Sequence, residues 1–123
     1  MSRIKIKNFG PIRNGNLTND GWIDIKKVTV FIGNQGSGKS TVAKLISTIV
    51  WIEKALVRGD FTSLTREEFK IHCSYQNIGS YFKDTTEIEY QGKAFSIRYD
   101  TNSDAVFIER NPINGYSFPK IMY

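Results

Sequence analysis

The 123-residue chain has little cysteine, little proline and no long hydrophobic run. Its single cysteine, Cys73, cannot form an internal disulfide and fits a reducing compartment, so we expect a cytoplasmic location. No apolar run approaches the ~18 residues of a membrane span, and no membrane partner is expected. The N-terminal segment "MSRIKIKNFG" carries charge without a continuous apolar core, so we do not expect a secretory signal.

Positive charge is in moderate excess, with 17 basic against 12 acidic residues. Arg3, Lys5 and Lys7 alternate with Ile4 and Ile6, which places the basic side chains on one face of a predicted strand. That face either meets a nucleic-acid backbone or, as such alternation more commonly does, forms a solvated outer surface over buried isoleucines. The other basic residues are interspersed with acidic ones and form no stripe along one element.

The most informative segment is "FIGNQGSGKSTVAKLI", residues 31–46. Its glycines, lysine and serine fit the pattern G-x-x-x-x-G-K-[ST], the Walker A motif or P-loop. Glycines let the backbone approach a ligand closely, and successive N–H groups ahead of a helix N-terminus form an anion-binding concavity. The sequence predicts a nucleotide-phosphate site formed by Gly33, Asn34, Gln35, Gly36, Ser37, Gly38, Lys39, Ser40 and Thr41.

Three side chains of this segment have predicted roles toward ATP and Mg²⁺. Lys39 is expected to place its charge between the β- and γ-phosphates. Ser40 is the predicted metal ligand, through its hydroxyl on Mg²⁺, and Thr41 is expected to bond the α-phosphate. The expected cofactors are therefore ATP and Mg²⁺.

The flanking patterns supply the strand and helix that this motif requires. Strands are predicted over 3–8, 22–26 and 27–32, and a helix over 38–58 that ends at Gly59 as its C-cap. Apolar residues recur along this helix at helical spacing. These residues are Val42, Leu45, Ile46, Ile49, Ile52, Ala55 and Leu56. The predicted buried face consists of Val42, Leu45, Ile46, Ile49 and Leu56.

The second half of the chain changes from a helical to an alternating pattern. Thr65 and Glu68 form a capping box, which predicts a second helix that ends before Gly79 and contains Cys73 as a small hydrophobic residue. Alternating runs at 87–90, 94–99 and 105–109 predict an antiparallel meander. The last apolar run reaches Tyr123, so we expect residues 1–123 to be one truncated lobe, with 1–60 holding the P-loop and 61–123 the meander.

Hydrolysis requires groups that the sequence does not supply clearly. P-loop ATPases hold Mg²⁺ with an acidic residue after a buried apolar strand, the Walker B motif. The run 105–109 ends in Glu109 but lacks the aspartate and lies in the predicted meander. His72 is expected to be a partly exposed helix residue without a chemical role. No catalytic residue is therefore assigned.

Residues 3–58 resemble the N-terminal lobe of ABC-class ATPases of the SMC, RecF and OLD kind, including AAA-labelled ATPases of phage-defence cassettes. The shared marks are a first strand ending in "NFGPI" (8–12), a second strand pair, and the sequence G-x-x-G-S-G-K-S-T. Gln35 departs from the family, which commonly has asparagine there. The family's Q-loop, signature motif, Walker B and switch histidine follow later and are not found in this chain.

This resemblance implies an α/β fold, an incomplete P-loop NTPase lobe with an antiparallel meander. It also implies base contacts from Asn8, Phe9 or Arg13, and a homodimer of heads in the full-length protein that sandwiches two ATP molecules. Closure of the heads would move coils or effector domains, with DNA or an effector protein as possible partners.

Two other classes of function remain open at this point. Small P-loop kinases also begin with such a motif, although they usually place it nearer the N-terminus and require a cluster of lid arginines that is not found here. A non-catalytic nucleic-acid or protein-binding module that retains the loop is the third class. Loss of ATP binding on Lys39→Ala separates the first two classes from the third, and phosphoryl transfer to a nucleoside or sugar would identify a kinase.

Overall fold

The computed structural model describes residues 2–14, 21–25 and 37–111, with the side chains of 13, 14 and 37–40 outside the description. Within these ranges the chain forms two α-helices, α1 (Ser37–Arg58) and α2 (Arg66–Ser74), and a 3₁₀ turn at Gly79–Tyr81. The described strands are β1 (Arg3–Phe9), β2 (Ile12–Asn14), β3 (Trp22–Asp24), β4 (Glu87–Gln91), β5 (Phe95–Tyr99) and β6 (Phe107–Arg110).

These strands form one antiparallel sheet in the order β2-β1-β4-β5-β6, with β3 also pairing with β1. The predicted meander is confirmed, because β4, β5 and β6 pair in sequence. The meander is not a separate sheet, since β4 pairs along the whole of β1, with Ile4 opposite Tyr90 and Ile6 opposite Ile88. The two halves of the chain therefore share one sheet.

The structure differs from the sequence predictions in the strands near the N-terminus. The predicted strand 22–26 is observed as Trp22–Asp24. Strand β2 was not predicted; it returns along β1 with Ile12 opposite Phe9. The turn between them uses Gly10 at φ +55°, where a Cβ would lie 2.6 Å from the Tyr81 ring. The predicted strand 27–32 and the final run 118–123 lie outside the described residues.

Helix α1 forms where its periodicity predicts and ends as expected at Gly59. Gly59 adopts φ +82°. Its N–H donates to the Leu56 carbonyl at 3.1 Å, and the Asp60 N–H donates to the Ala55 carbonyl at 3.0 Å. This pair of hydrogen bonds is the Schellman arrangement, which satisfies carbonyls that the last helical turn leaves without partners.

Two residues of α1 that are predicted to be buried lie instead at the edge of the core. The buried apolar residues of α1 are Leu45, Ile49, Ile52, Ala55 and Leu56. Val42 and Ile46, predicted as buried, are only partly buried at the edge of the core. Thr48 is buried instead, and its hydroxyl donates to the Lys44 carbonyl at 3.0 Å, so the burial leaves no unpaired donor.

Helix α2 begins at the predicted capping box. The Thr65 hydroxyl accepts from the Glu68 N–H at 3.1 Å, and the Glu68 carboxylate accepts from the Thr65 N–H at 2.9 Å. The helix then buries Phe69, which stacks on Tyr99 with ring centroids 5.5 Å apart. Both helices thus contribute to one core with the inward face of the sheet.

Cys73 is confirmed as a small buried side chain of α2, and we expect it to resist alkylation until the protein unfolds. Burial raises the pKa of the Cys73 thiol to about 12, and the thiolate is the reactive form. Modification by iodoacetamide at pH 8 should be at least ~100-fold slower in the native protein than in urea. Mass spectrometry measures both rates, and equal rates would contradict the burial of Cys73.

The same pKa shift has a consequence for stability. Unfolding exposes a thiol that ionises near its ordinary pKa of ~8.5, whereas the buried thiol stays protonated up to about pH 12. Between these two pKa values the unfolded state binds fewer protons than the native state. The contribution of Cys73 to the free energy of unfolding therefore falls as the pH rises.

Candidate functional site

Helix α1 begins inside the Walker A segment. Its first residue is Ser37, and its first turn contains no acidic side chain. The N–H groups of a helix's first turn have no partners within the helix and lie at the positive end of its dipole. The backbone of residues 37–40 therefore presents donors suited to an anion. Residues 33–36 lie outside the described part of the chain, as do the side chains of Lys39 and Ser40, so their predicted contacts stay predictions.

Thr41 is the member of the predicted set whose side chain the structure describes. Only 4% of its surface is exposed. Thr41 is therefore buried in the protein interior, one turn after α1 begins. Its predicted contact with the α-phosphate stays a prediction.

The position of α1 is fixed by the core and by one carboxylate. Leu45, Ile49 and Ile52 pack in the cluster that contains the inward residues of β1. One turn after Ile49, the Glu53 carboxylate accepts from the Tyr90 hydroxyl at 2.7 Å. It also accepts from the N–H groups of Ala94 and Phe95, each at 3.0 Å. Glu53 therefore joins the helix that follows the P-loop to the β4–β5 hairpin.

The β4–β5 hairpin has room for this carboxylate because residue 92 is a glycine. A Cβ at Gly92 would lie 2.3 Å from Glu53 Oε2 and 2.6 Å from the Tyr90 hydroxyl, so the position accepts only glycine without rearrangement. Burial raises the pKa of Tyr90, and the hydrogen bond to Glu53 raises it further, so this hydroxyl remains a donor. Sequence reasoning missed Glu53. The sequence does contain an indication of its role. Glu53 is four residues after Ile49, which puts an acidic side chain next to the predicted buried face of the helix.

Replacing Glu53 by alanine should lower the free energy of unfolding by about 3 kcal/mol. The change leaves the Tyr90 hydroxyl and two hairpin N–H groups without their charged acceptor. Urea unfolding followed by circular dichroism measures the loss. Glu67→Ala is the matched control, since Glu67 is 80% exposed and lies 3.7 Å from Lys70, and its effect should stay within ~0.5 kcal/mol. Equal losses in the two variants would contradict the role given to Glu53.

The predicted base contact from Phe9 is wrong. Phe9 is fully buried and meets the rings of Tyr81 and Phe82 edge-on, with centroids 5.8 and 4.9 Å away. A ring enclosed in this way presents no face to a nucleobase. Asn8 is partly exposed and adopts φ +54°, with its amide Nδ2 donating to the Thr85 carbonyl at 3.4 Å. The side chain of Arg13 lies outside the description.

The basic row of β1 faces an acidic row on β4. Lys5 lies opposite Glu89, and Lys7 lies opposite Glu87. Arg3 donates through Nε to Gln91 Oε1 at 2.8 Å and lies over the Trp22 ring at 4.0 Å. Cross-strand pairs of opposite charge stabilise a sheet and cancel its local potential. These contacts favour the solvated outer face over a phosphate-binding stripe.

The run 105–109 does not have the setting of a Walker B strand. Strand β6 pairs with β5 at the outer end of the described sheet. Phe107 is 48% exposed, and Glu109 is also exposed. His72 is partly exposed, as predicted, with its ring 5.0 Å from that of Trp51. Among the residues described, no group of three His, Cys, Asp or Glu side chains is placed to hold a metal ion.

The family model for the AAA ATPase domain matches residues 1–118. The chain belongs to the AAA ATPase domain family. This match confirms the resemblance to AAA-labelled ATPases and extends it from residues 3–58 across α2 and the meander. No curated protein and no solved structure matches the chain significantly.

Membership of this family indicates an ATPase domain that binds ATP. Such domains use a nucleotide and usually Mg²⁺. The residues that would hold them here are a matter of proposal. In the described ranges, neither helix combines the length and hydrophobicity needed to cross a bilayer.

Proposed function

We propose that this AAA ATPase domain binds Mg²⁺-ATP through the Walker A segment 33–41, as the N-terminal lobe of an ABC-class P-loop ATPase. The observation that carries the proposal is the start of α1 at Ser37, inside the motif. This places the loop's last residues at the N-terminus of a helix that the core and Glu53 hold against the sheet.

Within this site Lys39 neutralises the β- and γ-phosphates, and the backbone N–H groups of residues 36–41 bind phosphate oxygens. The Ser40 hydroxyl is the proposed protein ligand of Mg²⁺, which shields charge on the phosphates. Gln35 belongs to the proposed site and takes the position where asparagine is common in related ATPases. The proposed site is therefore continuous in the chain.

We assign ATP turnover to the assembled, full-length ATPase. The heads act as a homodimer in the full-length protein, and each ATP is completed by groups of the opposite head. Coils, an effector protein or DNA are the partners that head closure would act on, and a cytoplasmic location fits them. The antiparallel sheet and α2 then serve as the support for the P-loop helix.

We expect the 123-residue chain to turn ATP over at background rates even when ATP is bound. Hydrolysis needs an oriented water and stabilisation of the charge that develops on the γ-phosphoryl group, and missing such groups costs several orders of magnitude in rate. The one candidate carboxylate, Glu109, lies exposed on the outer strand β6. The measurement is phosphate release by purified protein with ATP and Mg²⁺.

Lys39→Ala is the control for contaminating ATPases in this assay. Background release from both proteins is the expected result. Turnover near ~1 per second that disappears in Lys39→Ala would contradict the expectation, and Glu109→Gln would then be the first variant to test.

A further inference from the structure

Three cationic side chains surround a polar surface pocket next to the start of α2. The pocket has a volume of about 380 Å³. Its charged lining residues are Arg66, Lys70, Lys83 and one carboxylate, Asp84. Tyr99 and Thr101 at the end of β5 and Phe82 complete the wall. The lining therefore carries an excess of positive charge, and its cations come from α2 and from the segment before β4.

Arg66 lines this pocket, and its contacts with the acceptors of Thr101 and Asp104 are long. Its guanidinium donates from Nη1 to the Thr101 carbonyl at 3.5 Å, the limit for a hydrogen bond. Its Nη2 lies 3.8 Å from the carboxylate of Asp104, which is fully exposed. Its Nε is buried and has no hydrogen-bond partner among the described residues. Only Nε therefore lacks an acceptor in the described part of the chain, since the guanidinium also interacts with the Tyr99 hydroxyl and lowers its pKa.

Neither lysine makes a close ion pair among the described residues. Lys70 Nζ lies 3.7 Å from Glu67, whose side chain is 80% exposed, and 5.7 Å from the centre of the Phe82 ring. Lys83 Nζ donates to the neutral Gly10 carbonyl at 3.0 Å. Ion pairs with exposed carboxylates contribute little to stability. Glu67 and Asp104 can therefore give way to an anion that the pocket holds more closely.

We propose that the pocket of Arg66, Lys70 and Lys83 binds a phosphate group, either inorganic phosphate or the phosphate of a small molecule. A guanidinium donates to phosphate oxygens through its accessible N–H groups, and ammonium groups add charge without a fixed direction. The Tyr99 hydroxyl remains protonated, because burial raises its pKa more than the Arg66 guanidinium lowers it. The site uses none of residues 33–41, so it adds a second anion site to the proposed ATP site.

The test is a phosphate titration of the ¹⁵N-labelled 123-residue chain carrying Lys39→Ala, which weakens the competing Walker A site. Inorganic phosphate and glycerol phosphate are added separately at constant ionic strength, with sodium chloride as the reference salt. We expect saturable shifts of the amide signals of Arg66, Lys70 and Thr101. Arg66→Gln should weaken the affinity at least ~5-fold, while Arg58→Gln, which changes an exposed arginine at the end of α1, should not change it.

Tighter binding of glycerol phosphate would assign the pocket to a phosphorylated molecule, and equal binding would assign it to the phosphate group alone. Shifts that do not saturate, or equal affinities in the protein with and without Arg66→Gln, would overturn the proposal. If Arg66→Gln disturbs the amide spectrum beyond the pocket, the double change Lys70→Gln, Lys83→Gln takes its place. The same ~5-fold loss is then required, and an unchanged affinity overturns the proposal.

Discussion

Replacing Ile49 by alanine should destabilise the protein by about 2–5 kcal/mol. Ile49 is fully buried in the core cluster between α1 and the sheet. Its truncation removes apolar surface from the interior and leaves a cavity that the packed strands can close only in part. Urea unfolding followed by circular dichroism gives the change in the free energy of unfolding, with an unchanged m-value showing that the two-state comparison holds.

The matched comparison is Ile46→Ala on the same helix. Ile46 has the same side chain but is only partly buried at the edge of the core, so its truncation removes less buried surface. We expect a loss clearly smaller than that of Ile49→Ala. Equal losses, or a larger loss for Ile46, would show that the face of α1 is assigned wrongly.

Local signals in the sequence were sufficient to predict both helices and the meander. The capping box of Thr65 and Glu68 fixes the start of α2, because both of its hydrogen bonds lie within four consecutive residues. Gly59 marks the end of α1 for the same reason, since a left-handed residue closes the last turn. The alternation after residue 86 predicts strands, and short turns force neighbouring strands to pair antiparallel.

Pairings between distant segments could not be predicted in this way. The β1–β4 ladder joins residues eighty or more positions apart, and no local pattern in β1 specifies that partner. The half-buried position of Ile46 has a related cause. Helical periodicity defines an apolar stripe, but where the stripe's edge meets solvent depends on how the sheet is placed beneath it.

The same distinction between local signals and contacts of distant segments applies to the candidate site. The Walker A segment is recognisable from sequence because its glycines, Lys39 and Ser40 lie within eight consecutive residues. The contact of Glu53 with the β4–β5 hairpin and the cationic pocket of Arg66 and Lys83 arise only after folding. Phe9 shows the opposite error, because a position inferred from resemblance does not reveal that its ring is enclosed by Tyr81 and Phe82.

Lys39→Ala should weaken ATP binding by about 2–5 kcal/mol, which is at least ~30-fold in Kd. The proposed role of Lys39 is to meet the β- and γ-phosphates with a full charge at the N-terminus of α1. Helix N–H groups alone supply only partial charge, so they cannot replace an ammonium group that contacts both phosphates. The fold should be unaffected, because the core holds α1 through residues of its later turns, Leu45, Ile49 and Ile52.

The measurement that tests the central claim most directly is calorimetric titration of Mg²⁺-ATP into three proteins: the unchanged chain, Lys39→Ala and Lys54→Ala. Lys54 is an exposed lysine on the same helix, so Lys54→Ala controls for the loss of one positive charge. We predict saturable binding by the unchanged chain and by Lys54→Ala with the same Kd, and at least ~30-fold weaker binding by Lys39→Ala. ATP affinity that is the same in all three proteins, or no binding by the unchanged chain, would contradict an ATP site at the Walker A segment.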